Sequence, residues 1–184
     1  MKRIGDWMQT FTGRQFWVLD PRPEEICIED IAHALSMQCR YGGHTTQFYS
    51  VAEHSWRVSS MCSAEDAMWG LMHDAAEAYL VDLPRPIKSG SELGSEYQRI
   101  ERELQRVICE RFGMSEREPP SVKVWDDYLL HWEGRDLMSP HPVPWFGEGT
   151  LELPTDVLVP VSPEFAEMAL LDRFRRLSKY AEVV

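Results

Sequence analysis

The sequence predicts an all-α protein, a packed bundle of about six helices preceded by a short N-terminal segment that is irregular or a β-hairpin. Three observations predict this. Apolar residues recur at i, i+3, i+4 and i+7 in one segment after another. Those segments are bounded by capping residues, paired glycines and prolines. Alternation of aromatic and polar residues is confined to the first twenty or so positions, around Phe11, Phe16 and Trp17. The 184 residues suit a single domain, with a core over about 24–138 and a C-terminal helix over about 163–181.

The first helix is expected from about Pro23 to Gln38, with Ile28, Ile31, Ala32 and Leu35 on one face. Tyr41-Gly42-Gly43-His44-Thr45 interrupts it as a loop, and a second helix follows over roughly Phe48 to Met61. Ser63-x-x-Asp66 is a capping signal for a helix from Ala64 to about Leu80, which Asp82-Leu83-Pro84-Arg85-Pro86 ends. Ser95-x-x-Gln98 is a second capping box, opening a helix striped with Ile100, Leu104, Val107 and Ile108 and closed at Gly113. Pro119-Pro120-Ser121 begins a helix to about Met138. A proline-rich stretch over 139–160 reads as an ordered loop with a short strand. Ser162-Pro163 then caps a last helix with Ala166, Ala169, Leu170, Phe174 and Leu177 on one face.

Thirty acidic against nineteen basic residues give a formal charge of −11, which disfavours binding a nucleic-acid polymer. A small phosphorylated ligand answers to a local metal and a few cations instead. Cys27, Cys39, Cys62 and Cys109 contain no C-x-x-C pair and read as buried or half-buried thiols of a reducing compartment. There is neither an apolar signal-peptide region nor a run of the ~18–20 apolar residues a bilayer span needs, so a cytoplasmic protein is expected.

The informative residues are polar ones at positions the helical pattern sends inward. Buried charge costs several kcal/mol unless it is paired or bound to metal. In Leu71-Met72-His73-Asp74-Ala75-Ala76-Glu77, His73 and Glu77 lie about 40° apart around a helix and Asp74 and Glu77 about 60°, so the three can address one point. Imidazole with carboxylate suits Mn, Co, Fe, Ni or Zn. His54 shares a face with Val58 and Met61, where a histidine is more often a satisfied core residue than a ligand. Asp126 shares a stripe with Val122, Leu129, Leu130 and Glu133; a salt bridge is the ordinary explanation, and Asp127 is the alternative ligand on another face.

Taken together, Ser50-Val51-Ala52-Glu53-His54-Ser55, His73-Asp74-Ala75-Ala76-Glu77, Asp82-Leu83-Pro84-Arg85-Pro86-Ile87-Lys88 and Val122-Lys123-Val124-Trp125-Asp126 resemble the HD-domain metal-dependent phosphohydrolases over roughly residues 38–135. Among these the chain is most similar to the bacterial 5′-deoxynucleotidase branch. The resemblance implies one divalent cation, drawn from Co, Mn, Mg, Zn, Fe and Ni, held by His54, His73, Asp74 and Asp126. It implies that Glu77 serves the attacking water and Asp82 the leaving group, and that Arg40 contacts substrate. An aromatic residue, usually Trp, follows that arginine in the family, and here it is Tyr41. Gly42-Gly43-His44 also departs from the family's text; His44 is either a further phosphate contact or a loop histidine. Arg85, Lys88 and Lys123 are further candidates to offset phosphate charge, Lys88 with the weakest case.

The implied reaction is hydrolysis of (deoxy)nucleoside 5′-monophosphates to nucleoside and phosphate. The alternatives are a dNTP triphosphohydrolase, as in small phage-encoded members that remove dATP, a cyclic-nucleotide hydrolase, and an inert nucleotide- or partner-binding HD module. A homodimer is compatible with the resemblance, and Trp7, Trp145 and Phe146 permit it.

Overall fold

The computed structural model describes residues 3–143, 145 and 152–181, the side chains of 179–181 excepted. The fold is all-α, with eight α segments and one small sheet among these residues. The N-terminal segment is the β-hairpin alternative. Strands β1 (Met8–Gln9) and β2 (Gln15–Phe16) pair antiparallel, with Met8 opposite Phe16. Thr12 anchors the hairpin, since its backbone N–H and hydroxyl both donate to the Asp30 carboxylate at 2.7 and 3.0 Å. Phe16 is fully buried and stacks on Tyr79.

The first expected helix is divided. A 3-10 turn at Pro23–Glu25 precedes α1 (Ile28–Met37), because Ile26 and Cys27 are extended and deliver Ile26 to the core. Ile31, Ala32 and Leu35 are fully buried, as the stripe predicts. The glycine loop forms a short 3-10 turn at Arg40–Gly43. Helix α2 (Val51–Met61) starts later than Phe48 because the preceding backbone is paired elsewhere. Arg40 N–H donates to Tyr49 O and Val51 N–H to Gln38 O, which clamps Arg40 beside the start of α2.

The expected helix from Ala64 to Leu80 breaks into α3 (Ala67–Met72) and α4 (Glu77–Leu80). The His73 imidazole donates to the Gly70 carbonyl at 2.9 Å, and the next turn is carried by i→i−3 bonds from Ala75 to Met72 and from Glu77 to Asp74. Two prolines do end this run, but Pro86 sits in the first turn of a helix the sequence reading lacked, α5 (Arg85–Gly90). Helix α6 (Glu92–Phe112) is capped by Ser91 rather than Ser95, its hydroxyl accepting from Gly94 N–H at 3.0 Å, and it ends at left-handed Gly113 as expected. Helices α7 (Pro120–Leu137) and α8 (Pro163–Ala181) lie close to their expected bounds.

Helix α2 is the centre of the bundle, packed against α1, α3, α7 and α8. Gly70 lets α3 approach it, for a Cβ there would stand 2.8 Å from Cys62 Sγ and 3.1 Å from Ser59 Cα. The main core lies among α1, α2, α3, α4, α6 and α8, and a smaller one, with Tyr49, Val58, Val122 and Leu129, lies between α2 and α7. Of the proline-rich stretch, 144 and 146–151, and so Phe146, lie outside the described residues. The rest is pinned rather than stranded: Arg135 donates to Pro154 O, Leu158 is buried, and Val161 N–H donates to Glu53. No described helix is long and apolar enough to cross a membrane.

Candidate metal centre

Three elements converge under the α2–α7 seam. Ser50 caps α2 by accepting from Glu53 N–H, and one turn later His54 points into the seam, fully buried. The tight approach at Gly70 brings His73 opposite it, and the break after α3 turns Asp74 the same way. His54 Nε2 lies 3.3 Å from His73 Nε2 and 3.8 Å from Asp74 Oδ2, and His73 Nε2 lies 3.2 Å from that oxygen. Two donors about 2.1 Å from a shared cation stand about 3.0 Å apart at a right angle and about 4.2 Å apart when opposed. All three separations fall in that interval. His54, His73 and Asp74 form a group that could hold a metal ion, its donor atoms all within 4.8 Å of one another. Asp126 Oδ1 stands beside this trio, 3.2 Å from His54 Nε2.

The other nitrogen of each imidazole is committed. His54 Nδ1–H donates to Glu133 Oε1 at 2.7 Å, and His73 Nδ1–H donates to Gly70 O. A carboxylate or a carbonyl only accepts, so both Nε2 atoms turn lone pairs toward the centre. Such atoms beside carboxylates repel unless positive charge, a proton or a metal ion, lies among them. Burial pulls the His73 imidazolium down, but Asp74 and Asp126 outweigh it and raise its pKa to about 9. Burial opposes ionisation of Asp74 and Asp126, yet the imidazoles and Arg40 hold both carboxyls below the usual range. The donor set therefore fits a divalent cation both in chemistry and in field.

Around the trio the expected residues divide. Arg40 is half-buried and reaches Asp74 Oδ2 at 3.5 Å, while Tyr41 lies beside it. Glu77 is buried, and its Oε2 has no hydrogen-bond partner among the described residues; burial, then Asp74 and Asp82, push its carboxyl well up. Asp82 is half-buried and raised by burial, with Arg40 opposing and Asp74 reinforcing the shift. Lys88 stands within electrostatic reach of Glu77 but is paired with Glu101 at 2.7 Å. Lys123 pairs with Asp126 at 3.2 Å and with Asp127, so the salt bridge expected as Asp126's ordinary explanation exists too. His44 and Arg85 are exposed; His44 closes the 3-10 turn through its backbone N–H to Tyr41 O and is not brought to the trio.

Two residues at the site were not foreseen. Glu133, on the Asp126 stripe two turns on, is completely buried and contacts His54, Arg40 and Tyr41. Burial opposes its ionisation, but Arg40, His54 and Tyr41 hold its pKa well below the usual range, at about 2. Glu118, exposed in the loop before α7, stands within electrostatic reach of His73, Asp126 and Asp74.

No family model matches the chain. It is 36% identical over 174 residues to the uncharacterized protein YfdR of Escherichia coli, an alignment covering 94% of this chain and 96% of that protein. An uncharacterized protein of Rhodobacter capsulatus is 36% identical over 132 residues, covering 67% of this chain and 65% of its own length.

Proposed function

This chain belongs to one family with YfdR of Escherichia coli, and we propose that it is an HD-domain metal-dependent phosphohydrolase that cleaves (deoxy)nucleoside 5′-monophosphates to nucleoside and phosphate. The observation that carries this reading is the convergence of His54, His73 and Asp74 donor atoms within 4.8 Å, each imidazole fixed through its other nitrogen. With Asp126 they would hold one divalent cation from the group Co, Mn, Mg, Zn, Fe and Ni. When bound, the ion would supply charge that polarises the phosphoryl group and acidifies the attacking water.

The chain's own residues do the rest. Glu77, with a buried and unpartnered carboxylate oxygen, takes a proton from the water as the water oxygen bonds to phosphorus and the bond from phosphorus to the nucleoside oxygen breaks. Asp82, whose carboxyl burial favours in the protonated form, gives its proton to the departing oxygen. Arg40, a half-buried guanidinium beside Asp74, offsets the phosphate charge. The supply of cations favours a monophosphate. Lys88 is matched by Glu101, Lys123 by Asp126 and Asp127, and Arg85 is exposed, whereas a triphosphate would need more positive charge along its path.

The deciding experiment separates phosphate, triphosphate and nucleoside released from dAMP and from dATP. Phosphate and deoxyadenosine from dAMP are expected, lost on chelation and restored by Mn2+, Co2+ or Mg2+. Triphosphate from dATP with dAMP untouched would replace this reading by the triphosphohydrolase. Tight metal loading with no turnover across a nucleotide panel would make the protein a binding module, and full activity after exhaustive chelation would end the metal-dependent reading.

A further inference from the structure

We infer that Glu133 is a positioning residue that ties the His54 imidazole and the Arg40 guanidinium into one unit, so that cation affinity and phosphate-ester binding are set together. The inference rests on the phosphohydrolase reading of this site but not on which nucleotide is cleaved. Glu133 has no solvent exposure, and a carboxylate so buried costs several kcal/mol unless its oxygens are fully used. They are used. Oε1 accepts from His54 Nδ1–H at 2.7 Å, and Oε2 accepts from the Tyr41 hydroxyl at 2.7 Å and from Arg40 Nε at 3.2 Å. Arg40 Nη1 then reaches Asp74 Oδ2, which faces His54 Nε2 at 3.8 Å, so the contacts close a ring through Glu133, His54, Asp74 and Arg40. Two members of that ring are the proposed cation ligands and a third is the proposed phosphate contact.

The backbone supports the same assignment. Tyr41 sits in the left-handed region at φ 56 and ψ 26, a conformation that strains a non-glycine residue and persists where its surroundings over-determine it. Here the strained turn lets two consecutive side chains, Arg40 and Tyr41, address one carboxylate. A merely structural bridge between this turn and α7 would affect stability alone. A positioning residue also moves cation binding and substrate binding, and moves them together.

The test titrates the wild type, Glu133→Ala, Glu133→Gln, Arg40→Gln and Tyr41→Phe with Co2+, read by its visible absorption, then measures KM and kcat for dAMP (Kd, should the protein be inert) at saturating Co2+. Removing a residue that supports a metal-bound histidine lowers affinity about 10–100-fold. Glu133→Ala is expected near the upper end, with an altered Co2+ spectrum and a raised KM that excess Co2+ does not restore. Glu133→Gln keeps the shape and an acceptor but not the charge; its Co2+ affinity is expected to fall about 10-fold, with a smaller rise in KM. Arg40→Gln raises KM and lowers Co2+ affinity by less than Glu133→Gln does, and Tyr41→Phe, which removes one of two bonds to Oε2, moves both in the same direction by the least. Wild-type Co2+ affinity and KM in folded Glu133→Gln overturn the inference even if Glu133→Ala does not fold, and leave the metal-site reading standing. A wild type that binds no Co2+ overturns both.

Discussion

The seam between α2 and α7 and the segment 82–91 that follows α4 both border the candidate centre, but they are built in opposite ways. In the seam, three charged groups are each held more than once: Glu133 by His54, Tyr41 and Arg40, Arg40 by Glu133 and Asp74, and Glu53 by Arg57 and Val161. In the segment 82–91, Pro84, Arg85, Pro86 and Ile87 are exposed, and a few bonds, from Tyr97 to Val81 O and from Gln98 to Lys88 O, hold it against α6. The difference teaches which part sets what can bind and which part tunes what happens next. A change in the seam strands a buried charge, whereas a change in the segment leaves the seam's contacts intact.

The comparison breaks most directly at Asp126. It lies on α7 two turns before Glu133, it is less buried than the trio, and it has Lys123 as a ready partner. Asp126→Ala is expected to abolish stoichiometric metal binding and turnover together, measured by metal analysis of the purified protein and by phosphate release. Full activity with a full complement of metal would remove Asp126 from the centre and leave it as the salt bridge its neighbour suggests.

Glu77 comes next. It begins α4, just past the break, and contributes a carboxyl with an unpartnered oxygen. Glu77→Ala is expected to retain the metal and lose at least about 10²-fold in kcat, the scale of a lost general base. Near-normal turnover would transfer the role of serving the water to another carboxyl, with Glu118 as the next to test because it stands within electrostatic reach of His73, Asp126 and Asp74.

How much of this was legible follows the same divide between local and distant contacts. Helical spacing turns His54, His73 and Asp74 inward, where polar groups demand a reason, but it was the resemblance to the HD-domain phosphohydrolases that joined them around one cation. Glu133 lies on the very stripe that singled out Asp126, but its partners His54, Tyr41 and Arg40 are 79, 92 and 93 residues away. No local pattern reports such a contact. The break between α3 and α4 was hidden for a different reason: residues 71–80 are good helix formers, and the interruption comes from a side chain, His73, taking the Gly70 carbonyl. The stop at Gly113 and the Ser162-Pro163 start were legible because their signals are local, while the N-terminal hairpin was one of two alternatives its sequence left open. His44 was an even choice on sequence, and its exposed place at the end of the 3-10 turn favours the loop histidine.

A smaller effect is expected at Val81, the hinge between the two regions. It is a β-branched residue at φ 67 and ψ 149, territory that is essentially glycine's. Its side chain is exposed, so packing does not compensate. Val81→Gly should relieve about 1–3 kcal/mol of strain against about 0.5–1 kcal/mol of added chain entropy, a net gain of about 1 kcal/mol, or about 2–4 °C in Tm. Because the same strain aims Asp82, kcat is expected to fall while metal affinity stays. A Val81→Gly protein that is both less stable and fully active would show that the hinge is neither strained nor used.

The least effect is expected at the far end of the segment, where two serines compete for one cap. Ser91 accepts from Gly94 N–H at 3.0 Å, while the Ser95 hydroxyl donates back to Ser91 O at 3.3 Å from an exposed position on α6. An N-cap serine is worth about 1 kcal/mol, and an exposed helical serine replaced by alanine costs almost nothing and gains slightly in propensity. Ser91→Ala should therefore lower Tm by about 2–4 °C, and Ser95→Ala should hold or raise it, with dAMP turnover unchanged in both. The reverse order would start α6 at Ser95, as the capping box alone suggests. It would also free residues 91–94 from the helix, lengthening the weakly held segment at the expense of the ordered one.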